Sequence, residues 1–120
     1  MSEKGDFIQE KCMNFSIRIV RMYKYLCSEK QEYILSKQLL RSGTSIGANI
    51  AEAQNAISKK DFVAKVYIAL KECTESKYWI ELLYRTEYLT KGTYISIKAD
   101  CEELEKLLTT TTKKLANCNL

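Results

Sequence analysis

Between Gln38 and Glu52 the chain reads Gln-Leu-Leu-Arg-Ser-Gly-Thr-Ser-Ile-Gly-Ala-Asn-Ile-Ala-Glu. Its apolar residues recur at helical spacing, yet small side chains crowd the segment. Each glycine in a helix interior costs about 1 kcal/mol relative to alanine. Such a cost is expected where the helix lies against another backbone. Gly43, Gly47 and Ala51 follow i, i+4, i+8, a ridge almost without side-chain bulk. The logic is that of small-xxx-small helix pairs, without their membrane setting. We place this ridge opposite the core stripe Leu35, Leu39, Ser42, Ile46, Asn49 and Ala53, at a close helix contact within or between subunits. The competing reading is a kink near Ser42–Gly43.

The rest of the chain is helical in pattern. Proline is absent, and Gly5 and Gly92 are the remaining glycines. At 120 residues the sequence fits one domain, 1–120. A first helix, about 7–27, carries Ile8, Cys12, Phe15, Ile19, Met22 and Leu26 in alternating steps of four and three, with Asp6 as its expected cap. Met13, Ile17 and Val20 form a second apolar patch on it. The second helix is expected over about 32–56. The third, about 59–89, starts at a capping-box variant, Ser58-Lys-Lys-Asp61, and is expected to end at Lys91-Gly92. Phe62, Val66, Ala69, Leu70, Cys73, Ile80 and Tyr84 line it; Ile68, Glu72, Glu75, Trp79 and Leu82 make a second stripe. The fourth, about 93–115, has one seam: Tyr94, Ile97, Cys101, Leu104, Leu108 and Leu115. Short connections imply antiparallel neighbours, hence an all-α, up-down-up-down four-helix bundle. A monomer needs one buried stripe per helix, so the surplus stripes point to a homo-oligomer.

Several chemistries are closed. Histidine is absent, which excludes Ser-His-Asp and Cys-His nucleophiles and imidazole metal sites. The five cysteines, Cys12, Cys27, Cys73, Cys101 and Cys118, never form a C-x-x-C pair and read as reduced, small apolar residues. Glu72 and Glu75 are an i, i+3 carboxylate pair that Glu52 can approach from the neighbouring helix. Ion pairing with basic or amide groups of the first two helices explains them better than acid–base work or a metal. Gln38, Ser42, Ser45 and Asn49 read as a helix–helix hydrogen-bond network rather than a serine nucleophile, because no activating base is evident. We expect no catalytic residue, metal or cofactor. No apolar run is long enough to span a membrane and the start of the chain is unlike a signal peptide, so a cytoplasmic protein is expected.

Charge is uneven. Residues 1–60 hold ten Lys/Arg against six Asp/Glu, a balance of +4, whereas residues 61–120 balance to zero. Lys11, Arg18 and Arg21 share one side of the first helix; Lys37 and Arg41 share a side of the second. These five are the candidate phosphate-binding residues, and an oligomer would repeat them. No base-reading motif accompanies them. A solvated face is the plainer interpretation for a single subunit.

Three stretches also resemble a known family. They are Gln38-Leu-x-Arg-Ser-x-x-Ser-Ile-x-x-Asn-Ile-x-Glu-Ala53, Ser58-Lys-Lys-Asp-Phe62 and Ile68-Ala-Leu-Lys-Glu-Cys-x-Glu75. They are similar to the 23S rRNA-intervening-sequence proteins, bacterial four-helix bundles sometimes labelled ribosomal. The accessory proteins of diversity-generating retroelements are similar too. The resemblance implies a homopentamer without enzymatic activity, and partners among RNA, DNA, a reverse transcriptase or another protein. The expected function is a homo-oligomeric bundle that binds structured RNA or DNA through repeated basic patches. The alternative is a protein–protein scaffold.

Overall fold

A computed structural model describes residues 3–117. Among them lie four helices and no strand: α1 (Glu3–Lys30), α2 (Leu35–Ala53), α3 (Lys59–Arg85) and α4 (Lys91–Asn117). They pack side by side into a rod of 48 × 22 × 21 Å. Each helix packs mainly on its neighbour in sequence, and α1 and α4 close the bundle with the sparsest contact. The expected four-helix fold is the observed one.

The core follows the sequence stripes closely on α1, where Ile8, Cys12, Phe15, Ile19, Met22 and Leu26 are all buried. Ile97, Cys101, Leu104 and Leu108 do the same on α4. On α2 the buried arc is wider than the apolar pattern suggests, since Ser36 and Gly43 are buried with Leu39, Ser42, Ile46, Ile50 and Ala53. The ridge is therefore not opposite the core. A Cβ on Gly43 would meet Ile19 Cγ1 at 2.9 Å, and one on Gly47 would meet Cys12 Cβ at 3.2 Å. Both glycines let α2 lie close against α1, inside the subunit. Ala51 is half-buried, and α2 runs unbroken through Ser42–Gly43.

Helix ends account for the shifted boundaries. α1 begins at Glu3, so Gly5 and Asp6 lie within its first turns instead of before it. It ends at Lys30, and the next residue, Gln31, turns the chain with a φ of 51°. The α2 start is fixed by Glu32, which is 8% exposed. Its Oε2 accepts from the backbone N–H of Ile34 (3.0 Å) and Leu35 (3.1 Å), and its Oε1 from Ser36 (2.6 Å). Burial alone would raise the carboxyl pKa; the N–H groups of Ser36, Ile34 and Leu35 outweigh it and hold the group below its ordinary value. Expected as the first residue of the second helix, Glu32 is its cap.

The Ser58 box forms as expected: Ser58 Oγ accepts from Asp61 N at 3.0 Å, and Asp61 Oδ2 from Ile57 N at 3.3 Å. The end of α3 corrects the sequence reading. The chain reverses at Glu87, with φ of 70°. Glu87 N bonds Tyr84 O (3.0 Å) and Tyr88 N bonds Leu83 O (2.9 Å), a Schellman ending with a carboxylate residue where glycine is usual. Gly92 lies in the first turn of α4, behind Thr90, whose Oγ1 accepts from Thr93 N at 3.2 Å.

Candidate nucleic-acid interface

The five candidate basic residues do not form one patch. Lys11 and Arg18 extend from α1 to α4. Lys11 Nζ lies 3.2 Å from Glu103 Oε1, and Arg18 Nη1 lies 2.6 Å from Asp100 Oδ2. Arg41 extends from α2 to α3, where Nη2 meets Glu75 Oε2 at 2.7 Å. The α1–α4 and α2–α3 seams are on opposite sides of the bundle. Arg21 and Lys37 are exposed, and neither has a carboxylate partner among the described residues. Sequence spacing showed the shared helical sides but not these neutralising partners, which sit 92, 82 and 34 residues away.

Most of the candidate polar residues form hydrogen bonds or ion pairs within the bundle, with departures from the expected partners. Glu75 binds Arg41 and also accepts from Trp79 Nε1 at 3.0 Å. Glu52 turns to Lys65 at 2.8 Å, away from Glu72 and Glu75, so no carboxylate cluster assembles. Glu72 is not paired as expected: its Oε2 is buried without a hydrogen-bond partner among the described residues. The expected network between helices reduces to Ser76 Oγ donating to Ser42 Oγ at 2.9 Å. Ser45 and Asn49 bond their own helix, Ser45 Oγ to Arg41 O (2.7 Å) and Asn49 Nδ2 to Ser45 O (2.8 Å).

Cys12, Cys73 and Cys101 are free and buried, and Cys27 is free and half-buried; Cys118 lies outside the described residues. Burial pushes the Cys12 thiol up to about 12. The hydrogen bond to Cys101, with burial, pushes Cys73 higher still. Such thiols are not poised as nucleophiles. No three His, Cys, Asp or Glu residues gather as a metal site among the described residues. No helix there is long and apolar enough to cross a membrane.

A polar cluster between α3 and α4 escaped sequence reasoning. Tyr94 Oη donates to Glu81 Oε1 at 2.5 Å, and Arg85 Nε donates to Glu81 Oε2 at 2.8 Å. These bonds, Tyr94 first, hold the Glu81 carboxyl below its ordinary range. The Tyr84 and Tyr94 rings stack at 3.9 Å. The apolar pattern places Tyr84 and Tyr94 on core stripes, but it gives no sign of their polar partners Glu81 and Arg85.

The geometry defines an antiparallel four-helix bundle whose unpaired surface charge is basic on balance and whose interior carries no reactive constellation among the described residues. Residues 7–110 match the family described as 23S rRNA-intervening sequence protein, and the chain belongs to that family. A solved structure from Bacteroides thetaiotaomicron, of a protein with unknown function from the S23 ribosomal protein family, superposes with a TM-score of 0.90. It is 52% identical, over 92% of this chain and 98% of that one. Among curated proteins none matches.

Proposed function

We propose that this protein is a non-enzymatic, self-associating bundle that binds RNA or DNA through repeated basic surfaces. The observation that carries the reading is where most of the cations left over from ion pairing lie, Lys71 and Lys106 standing apart along α3 and α4. Arg21, Lys24, Lys30, Lys37 and Lys91 are exposed, have no carboxylate partner among the described residues, and gather toward the end of the rod that holds the α1–α2 turn. Glu29 and Glu87 are the exposed acids there; the far end mixes Lys59, Lys60, Lys113 and Lys114 with Glu3, Asp6 and Glu10. The family's name ties its members to ribosomal RNA genes, which fits a polyanionic partner. Of the five candidate residues, Arg21 and Lys37 make the phosphate contacts, and Lys11, Arg18 and Arg41 serve first as seam residues.

Self-association rests on exposed apolar side chains of two helices that are not adjacent in the bundle. Met13 (56% exposed) and Ile17 (41%) stand on α1, and Tyr67 (47%), Ile68 (39%) and Tyr78 (61%) on α3. A pentamer would cover both surfaces and repeat the basic end around a ring. Light scattering should give a multiple of 13.9 kDa, and a stable monomer would refute the assembly. Binding to RNA and DNA should weaken steeply with salt, and Arg21→Glu with Lys37→Glu should lower the log–log slope by about 0.7–0.9 per lost phosphate contact. A parent that binds neither at low salt leaves the scaffold reading, which the tyrosine-rich face of α3 favours. Its partner would then be another protein, a reverse transcriptase among the candidates.

A further inference from the structure

Arg21 is not on a flat face. With Arg18, Met22 and Tyr25 of α1, Leu89 of the α3–α4 turn and Thr93 of α4, it lines an open groove of about 360 Å³. That volume falls within the range of small-ligand sites. Met22 and Leu89, 8% and 6% exposed, are its apolar floor. Its rim is polar and differentiated. Arg18 is held in place by Asp100 at 2.6 Å and by the Ser96 carbonyl at 3.5 Å, so its charge is compensated. Arg21 is uncompensated among the described residues and leaves a net positive charge. The Tyr25 ring is 41% exposed, and its hydroxyl has no hydrogen-bond partner among the described residues. Thr93 Oγ1 accepts from the Thr90 hydroxyl at 3.0 Å, which leaves its own proton to donate outward.

An apolar floor, an accessible ring and one uncompensated guanidinium within a single groove are the needs of a nucleotide taken out of a stack. A base would lie on the Tyr25 ring over Met22 and Leu89, and its phosphate would meet Arg21 and the Thr93 hydroxyl. A duplex keeps its bases stacked inward and offers only phosphate, so it gains nothing from the ring or the floor. An acidic peptide likewise satisfies Arg21 alone. We infer that the α1–α4 groove binds one unpaired nucleotide of a single-stranded segment, as in the loops of a structured RNA. The inference rests on the nucleic-acid reading above and narrows it from charge alone to charge plus stacking.

The test is fluorescence anisotropy with a labelled 12-nucleotide single-stranded RNA and with its blunt duplex, for the parent, Tyr25→Ala and Tyr25→Phe. Thermal melts should show that both variants remain folded, since Tyr25 is partly exposed. The single strand should bind the parent at least about tenfold more tightly than the duplex, and Tyr25→Ala should weaken it roughly 5- to 150-fold. Tyr25→Phe should retain the parent affinity, because the ring and not the hydroxyl makes the contact. Duplex binding should be the same in all three. Equal affinity for the two RNAs, or a silent Tyr25→Ala, overturns the groove and leaves the nucleic-acid reading standing. Competition by polyglutamate as effective as by unlabelled single strand assigns the groove to an acidic peptide and overturns the inference too. Binding of neither RNA at low salt overturns both readings.

Discussion

On its α2 side, α1 meets a surface from which side chains have been removed; on its α4 side it meets long charged ones. At the first seam a Cβ on Gly43 would fall 2.9 Å from Ile19, a fully buried and β-branched neighbour. At the second, Lys11 and Arg18 reach Glu103 and Asp100 with a third or more of each side chain exposed. The first seam depends on shape and excludes added atoms. The second depends on charge and sits largely in water, where an ion pair contributes about 0–1 kcal/mol. Two contacts that look alike as helix pairs should therefore differ in what breaks them: volume for one, salt or neutralisation for the other.

The largest effect is expected at the first seam. Gly43→Leu should destabilise by about 3 kcal/mol in urea unfolding, since the core around Ile19 has little room to yield. Adding Ile19→Ala to that variant should recover part of the loss, a coupling absent if the two helices are merely near each other. Next comes the turn that sets the angle between α1 and α2. Glu32→Ala removes the acceptor for three backbone N–H groups and should cost about 2 kcal/mol. Because the folded Glu32 pKa is lowered, its contribution is complete above its ordinary value of 4.5 and is lost as pH falls through the folded value. Parent melting temperatures should drop in that acid window, and the Glu32→Ala variant should lose that part of the dependence.

Gly47→Ala should have a smaller effect. Its Cβ would crowd Cys12 at 3.2 Å, but the helix gains about 1 kcal/mol of propensity, so the net should lie within about 1 kcal/mol of the parent. A loss comparable to that of Gly43→Leu would mean that the whole ridge is rigid rather than one point on it. Smallest are the ion pairs. Lys11→Gln should cost less than about 1 kcal/mol, and the difference from the parent should vanish in high salt. A salt-independent loss would show that the α1–α4 seam is held by packing after all.

Those contrasts also explain what could be read in advance. The α1 stripe was legible because its residues are apolar and unbroken in period. The glycine ridge was legible as a close contact, but its direction was not. Ser36 and Gly43 are small enough to be buried without being apolar, and they widen the buried arc toward α1, where Ser36 lies by Cys27 and Gly43 by Ile19. Gly92 misled for a related reason. Residue type suggested where a left-handed turn belongs, while backbone hydrogen bonds placed it at Glu87. Glu32 was missed because it caps from outside α2, two residues before the first residue whose N–H it binds. The five candidate basic residues could be picked out by charge and by the helical side they share. Their pairing was not legible, since it depends on which helices become neighbours, and only that arrangement separates Arg21 from Arg18.

The order of the helices bears on how the chain becomes folded. α1 meets α2, α2 meets α3 and α3 meets α4, so nearly all of the interior can be assembled from hairpins close in sequence. Loop closure across the whole chain is required only to bring α4 back to α1. Low contact order of this kind is expected to give folding in microseconds to milliseconds. The ion pairs of Lys11 and Arg18 should then form after the rate-limiting step, so that neutralising Lys11 speeds unfolding and leaves the folding rate unchanged. Stopped-flow measurements in which Lys11→Gln slows folding would place closure of the ring of helices inside the transition state instead.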